Sequence, residues 1–134
     1  MTLTDNDLIR HFEACTLQPS QFPHREHVRL GWLYLQRLPL TDAVAAFSAG
    51  LRAFATSLGK PDRYHETMTW AYLLIIQDRM TRGGSAAVSW DTFAADNADL
   101  IASGRQVLER YYRPETLDSS LARASFVWPD VLGR

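Results

Sequence analysis

Long stretches of this sequence place apolar residues three and four apart and then stop at a proline or a glycine. Leu8, Ile9, Phe12 and Cys15 follow the rule, as do Val44, Phe47, Leu51, Phe54 and Leu58. The spacing matches the 3.6-residue turn of an α-helix, so each stretch carries one apolar face. No pair of strand-like runs joined by hairpin chemistry occurs. The expected fold class is therefore all-α.

Capping residues set the expected elements. Thr4, with Asp5 and Asp7 just behind it, opens a first helix over 5–15, because carboxylates suit the positive end of the helix dipole. Pro23, tolerated in a first turn, opens a second over 23–38, and Pro39 stops it. Gly31 inside it costs about 1 kcal/mol relative to alanine, which points to close packing or to a ligand approaching the backbone. Thr41 caps a third helix that runs to Leu58, where Gly59 suits the left-handed position beyond a helix end. After Lys60-Pro61, Asp62 caps a fourth helix over 63–80. Its middle, 68–76, is apolar almost all round, the mark of a central helix.

Gly83-Gly84-Ser85 reads as a connection. Ser89 caps a short helix holding Trp90 and Phe93, a further helix over 100–111 is weakened by Gly104, and Pro114 opens a last one reaching 124. Residues 126–128 are expected to pack as an extended tail. The sum is one domain over 1–134, a compact bundle of four main helices with short C-terminal helices and a tail.

Charge narrows the function classes. Fourteen Lys and Arg against fifteen Asp and Glu leave a net charge of -1, which argues against a dedicated nucleic-acid binder. Cys15 is the only cysteine, so neither an internal disulfide nor a CxxC motif is available. The start, 1–10, lacks the order of a signal peptide, and the longest apolar run, 70–76, is too short to span a bilayer. The expectation is a cytoplasmic protein with a small-molecule substrate and neither a nucleic-acid nor a membrane partner. An apolar patch on the C-terminal segments would favour a homodimer.

Four histidines carry the chemistry. His24 and His27 lie three apart in one helix, so they share a face. His65 and Glu66 open the fourth helix. Short joints make successive helices antiparallel, so the second and fourth run parallel and begin at the same end. His11, read as structural, returns toward that end too. Two helix N-termini side by side favour neutral imidazoles and an ionised Glu66. Tyr64 and Thr67 flank the pair and are candidates to hydrogen-bond a ligand. Arg25 and Glu26 read as a solvated charged turn, and Trp32, Tyr34, Trp70 and Tyr72 as packing residues.

The stretch Phe22-Pro23-His24-Arg25-Glu26-His27-Val28-Arg29-Leu30, continuing to Trp32 and Leu35, is similar to a signature of a group of small uncharacterised bacterial proteins. Tyr64-His65-Glu66-Thr67-Met68-Thr69 resembles the second signature of that group, and the ending from Tyr111-Tyr112 through Leu121-Ala122-Arg123 to Phe126 also looks like it. The resemblance covers most of the chain and implies that the two motifs belong to one module. It carries no activity.

The leading expectation is a metal-dependent enzyme acting on a small organic molecule. His24, His27 and His65 would ligate one divalent transition metal (Fe, Zn, Cu or Ni), which such a donor set suits better than Mg or Ca. Glu66 would be a ligand or the acid/base, with Tyr64 and Thr67 beside the substrate. Two alternatives stand: a metal-free acid/base enzyme with His65 as base oriented by Glu66, and a non-catalytic domain that binds a small ligand or metal.

Overall fold

A computed structural model describes residues 3–83 and 89–131, and among them every regular element is helical. Four longer helices come first: α1 (Asp5–Glu13), α2 (His24–Arg37), α3 (Leu40–Ser57) and α4 (Glu66–Arg82). Four short ones follow: α5 (Trp90–Asp96), α6 (Ala98–Ala102), α7 (Pro114–Leu117) and α8 (Ser120–Ala124). None of the described helices is long and apolar enough to cross a membrane.

Several boundaries follow from the expected caps. Thr4 accepts from the Asp7 N–H at the start of α1, Ser89 from Thr92 at the start of α5, and Pro114 opens α7. Gly59 takes a positive φ of 72°, the left-handed turn that ends α3. Other boundaries move. α1 stops at Glu13, and Cys15 itself turns left-handed, at φ 58°. Pro39, not Thr41, precedes α3, and Pro61–Arg63 forms a separate 3₁₀ turn before α4. The helix expected over 100–111 is broken after Ala102. There Ser103 Oγ accepts from the Arg105 and Gln106 N–H groups, a local bond that competes with helix. Gly84 and Ser85 of the expected connection lie outside the described residues.

The centre of the fold is α2 rather than α4. Every residue from Val28 to Leu35 is buried, whereas α4 leaves Leu74 exposed. α2 is enclosed because α1, α3, α4 and α6 all pack on it. At Gly31 the helices α2 and α4 meet so closely that an added Cβ would lie 3.0 Å from Leu73 Cδ2 and 3.4 Å from Ile76 Cδ1. The glycine thus serves helix packing. In the tail, Phe126 packs on Trp70 with ring centroids 5.6 Å apart, while Trp128 stays 82% exposed and does not join the core.

A buried cation ties α1 to α2. Arg29 is 5% exposed, and its guanidinium donates to Asp5 Oδ1, Glu26 Oε1 and the Leu3 carbonyl. Burial works against its charge, but the two carboxylates more than offset it and its pKa rises. Glu26 is consequently not part of a solvated turn: its side chain is only 15% exposed. Arg25 next to it lies over the Trp90 ring.

Two variants check this packing. Arg29→Met leaves Glu26 buried without its cation and should cost about 3 kcal/mol of unfolding free energy; urea denaturation showing a loss well under half of that would mean water reaches the carboxylate. Gly50 sits under a core ring, its added Cβ only 2.3 Å from Phe12 Cε2. Gly50→Ala should therefore destabilise by about 1–3 kcal/mol, although helix propensity alone favours alanine by about 1 kcal/mol. A raised denaturation midpoint would show that the ring gives way.

Candidate functional site

The site begins at the turn before α2. Pro19–Gln21 forms a 3₁₀ turn that delivers Phe22 into the core, and Pro23 then starts α2. Phe22 stacks on the His27 imidazole at 3.8 Å and 18°, and meets Phe54 of α3 edge-on at 5.2 Å. His27 is thereby fixed against an aromatic wall. From the end of α3, the chain passes through Lys60, Arg63 and Tyr64 to His65, which caps α4. These segments line an open-sided cavity of about 350 Å³. Its apolar walls are Phe22, Leu51, Phe54, Ala55, Leu58 and Met68, and its polar ones His27, Lys60, Arg63, Tyr64, His65 and Thr69.

His27 and His65 thus line one cavity. Their chemistry differs. The His65 Nδ1 accepts from the Met68 N–H at 3.1 Å, so that nitrogen carries no proton. The proton of the neutral ring is on Nε2, which donates to the Leu117 carbonyl at 2.7 Å. Both nitrogens are committed to backbone, one capping α4 and the other holding α7. Burial lowers the His65 pKa, and Arg123 and Arg105 add to this against the opposing Leu117 carbonyl.

His27 makes no such double commitment. Burial, with help from His24, lowers its pKa to about 4, against a raising contact with the Phe22 backbone. It is neutral at pH 7. A ring with one nitrogen turned to a carbonyl keeps a lone pair on the other.

The remaining candidates are placed elsewhere. His24 is the first residue of α2, and its Nε2 donates to the Leu100 carbonyl of α6 at 2.7 Å, with Tyr72 edge-on at 5.4 Å. It lines a different wall from His27. Glu66 is held by three donors: Arg52 Nη2 at 2.9 Å and Tyr64 Oη at 2.5 Å on one oxygen, and Trp70 Nε1 at 3.1 Å on the other. Tyr64 is committed to that carboxylate, and burial together with Glu66 pushes its pKa up to about 12. Thr67, fully buried, donates to the Ser125 carbonyl and accepts from the Val127 N–H, pinning the tail. His11 pairs with Thr16 Oγ1 beside the end of α1.

The donor set expected for a metal is not gathered. Among the described residues no group of three or more His, Cys, Asp or Glu side chains is placed to hold a metal ion. The side chains explain why: His65 has no lone pair to give, and His24 is turned to α6. Among the described residues no fully buried side-chain acceptor lacks a partner. The buried side-chain polar atom without a partner among the described residues is Trp32 Nε1, a donor that packs toward Trp90 and Phe93. Residues that the sequence did not mark as site candidates now line the cavity: Phe54, Met68, Lys60 and Arg63. The visible signal for the last two was a pair of cations between a helix-ending glycine and a histidine cap.

The two histidines give the fold a pH dependence of known sign. Each is neutral when folded and binds a proton more readily when unfolded. Stability is therefore complete above the ordinary histidine value of 6.5 and falls as the pH drops toward about 4. Each histidine that stays neutral contributes up to about 1.4 kcal/mol per pH unit in that window. His27→Gln should flatten the slope of unfolding free energy between those limits; an unchanged slope would place the His27 proton uptake outside them.

No protein-family model, curated protein or solved structure matches the chain. The chemistry of the site rests on its own side chains.

Proposed function

We propose that this domain binds a small organic molecule in the cavity beside His27, without a metal and without acting on its ligand. The observation that carries the reading is the cavity: about 350 Å³, walled mostly by apolar side chains, with a neutral imidazole stacked on Phe22 at its edge. Small-molecule sites have this composition and a volume of about 300 Å³ or more. An imidazole stacked in place is a hydrogen-bond partner of fixed direction.

The metal-dependent reading has less support, because His65 spends both nitrogens on backbone groups and His24 turns its Nε2 to the Leu100 carbonyl, away from His27. The acid/base reading has less support as well. His65 is sealed, Glu66 is saturated with donors, and a base with a pKa of about 4 is poorly matched to work near pH 7. We also read α1 to α4 as a four-helix bundle onto which α5 to α8 pack, the arrangement that keeps the starts of α2 and α4 together.

The test is protein-observed NMR with a fragment library, run with and without EDTA. Binders are expected to shift the His27 ring and the Met68 methyl equally under both conditions. Leu51→Trp, which fills the cavity from its α3 wall, should weaken them by about tenfold or more while the rest of the spectrum stays folded. Binding lost to EDTA and restored by Zn²⁺ would overturn the metal-free reading, and binders that bypass His27 would overturn the site.

A further inference from the structure

The charges around the His27 cavity are one-sided. No carboxylate lines it. Its polar groups are two neutral imidazoles, a tyrosine committed to Glu66, a threonine donating to the His65 carbonyl, and two cations, Lys60 and Arg63. Both cations are exposed on the loop between α3 and α4, and the loop's exposed carboxylate, Asp62, lines a separate cleft with Arg52 and Arg123. Neither side chain has an ion-pair or hydrogen-bond partner among the described residues. Arg52, Arg79 and Arg105, by contrast, each hold a carboxylate within 3.1 Å. The loop is held in place by backbone bonds instead: Lys60 N–H donates to the Ala55 carbonyl and Arg63 N–H to that of Lys60. Two cations without an ion-pair partner thus stand on a fixed turn at the edge of an apolar cavity, with Asp62 between them in the chain lining another cleft.

From this arrangement, and resting on the ligand-binding reading above, we infer that the ligand is an organic carboxylate: an apolar body against Phe22, Phe54 and Met68, with its carboxylate at Lys60 and Arg63. An arginine fork and a lysine ammonium both suit a carboxylate. A cationic ligand would meet like charge and no counter-ion. A neutral ligand would fill the walls and leave the two cations unused. For size, a cavity of roughly 150 Å³ holds benzene, so this one accommodates a ring with a short side chain.

A charge series of one body tests the class. Phenylacetate, phenylacetamide and phenethylamine are titrated into the full chain while the His27 ring and the Met68 methyl are followed by NMR. Phenylacetate is expected to bind about tenfold tighter than the amide, with the amine weakest. Added salt should weaken the acid and spare the amide. The Lys60→Gln/Arg63→Gln double variant, altered only at exposed positions, should bring the acid down to the level of the amide and leave the amide unchanged. If acid and amide bind equally, or if the double variant keeps the preference, the carboxylate class is wrong and the cavity reading survives. If none of the three moves His27 or Met68, both fall.

Discussion

The approach of α2 to α4 at Gly31 is the constraint on which the site depends. α2 and α4 nearly touch there, and His27 and His65 at their starts line one cavity. With no side chain at 31, Leu73 and Ile76 of α4 settle against the α2 backbone. A larger residue would wedge the helices apart and widen the gap between their starts. The cavity is what remains at that end, where the chain entering α2 and the chain entering α4 diverge, and the last turns of α3 close its side.

Around that opening, His65 and Thr69 are fixed by backbone groups. His65 shows the logic. An imidazole that caps a helix through Nδ1 must be neutral, and its Nε2 is then bound to be a donor. The Leu117 carbonyl receives that donor and so draws α7 onto the start of α4. Thr67, two residues on, does the same for the tail through Ser125 and Val127. Within the His-Glu-Thr sequence, His65 and Thr67 thus clamp C-terminal segments onto the start of α4. His27 differs in having an aromatic ring and a cavity for neighbours.

The sequence carried the helices well and the roles of its histidines poorly, for one reason. Helix starts, apolar period and the Gly59 stop are local, so Thr4, Ser89 and Pro114 could be read directly. Short joints alone led to the expectation that the second and fourth helices begin at one end, and His27 and His65 do share a cavity. What a ring nitrogen bonds is not local. The partner of His24 is 76 residues away and that of His65 is 52 away. Three residues apart on one helix face, His24 and His27 still meet different neighbours, since α6 covers one and Phe22 the other. Arg29 was hidden in the same way: nothing in a run of helix formers announces that one arginine is buried, because its carboxylate at Asp5 is 24 residues upstream.

The contrast between the buried and the exposed cations follows from the same accounting of partners. Taking Arg29 out of water is tolerable only because Asp5, Glu26 and a carbonyl surround it. Lys60 and Arg63 need no such company in solvent, so their lack of a carboxylate is no defect of the fold. An approaching carboxylate would meet these cations without first having to displace an internal counter-ion. It would also find no negative charge on the cavity wall, because the nearest carboxylate of the motif, Glu66, is already shared by Arg52, Tyr64 and Trp70. The three donors that hold Glu66 are thus part of what leaves the cavity receptive to an anion.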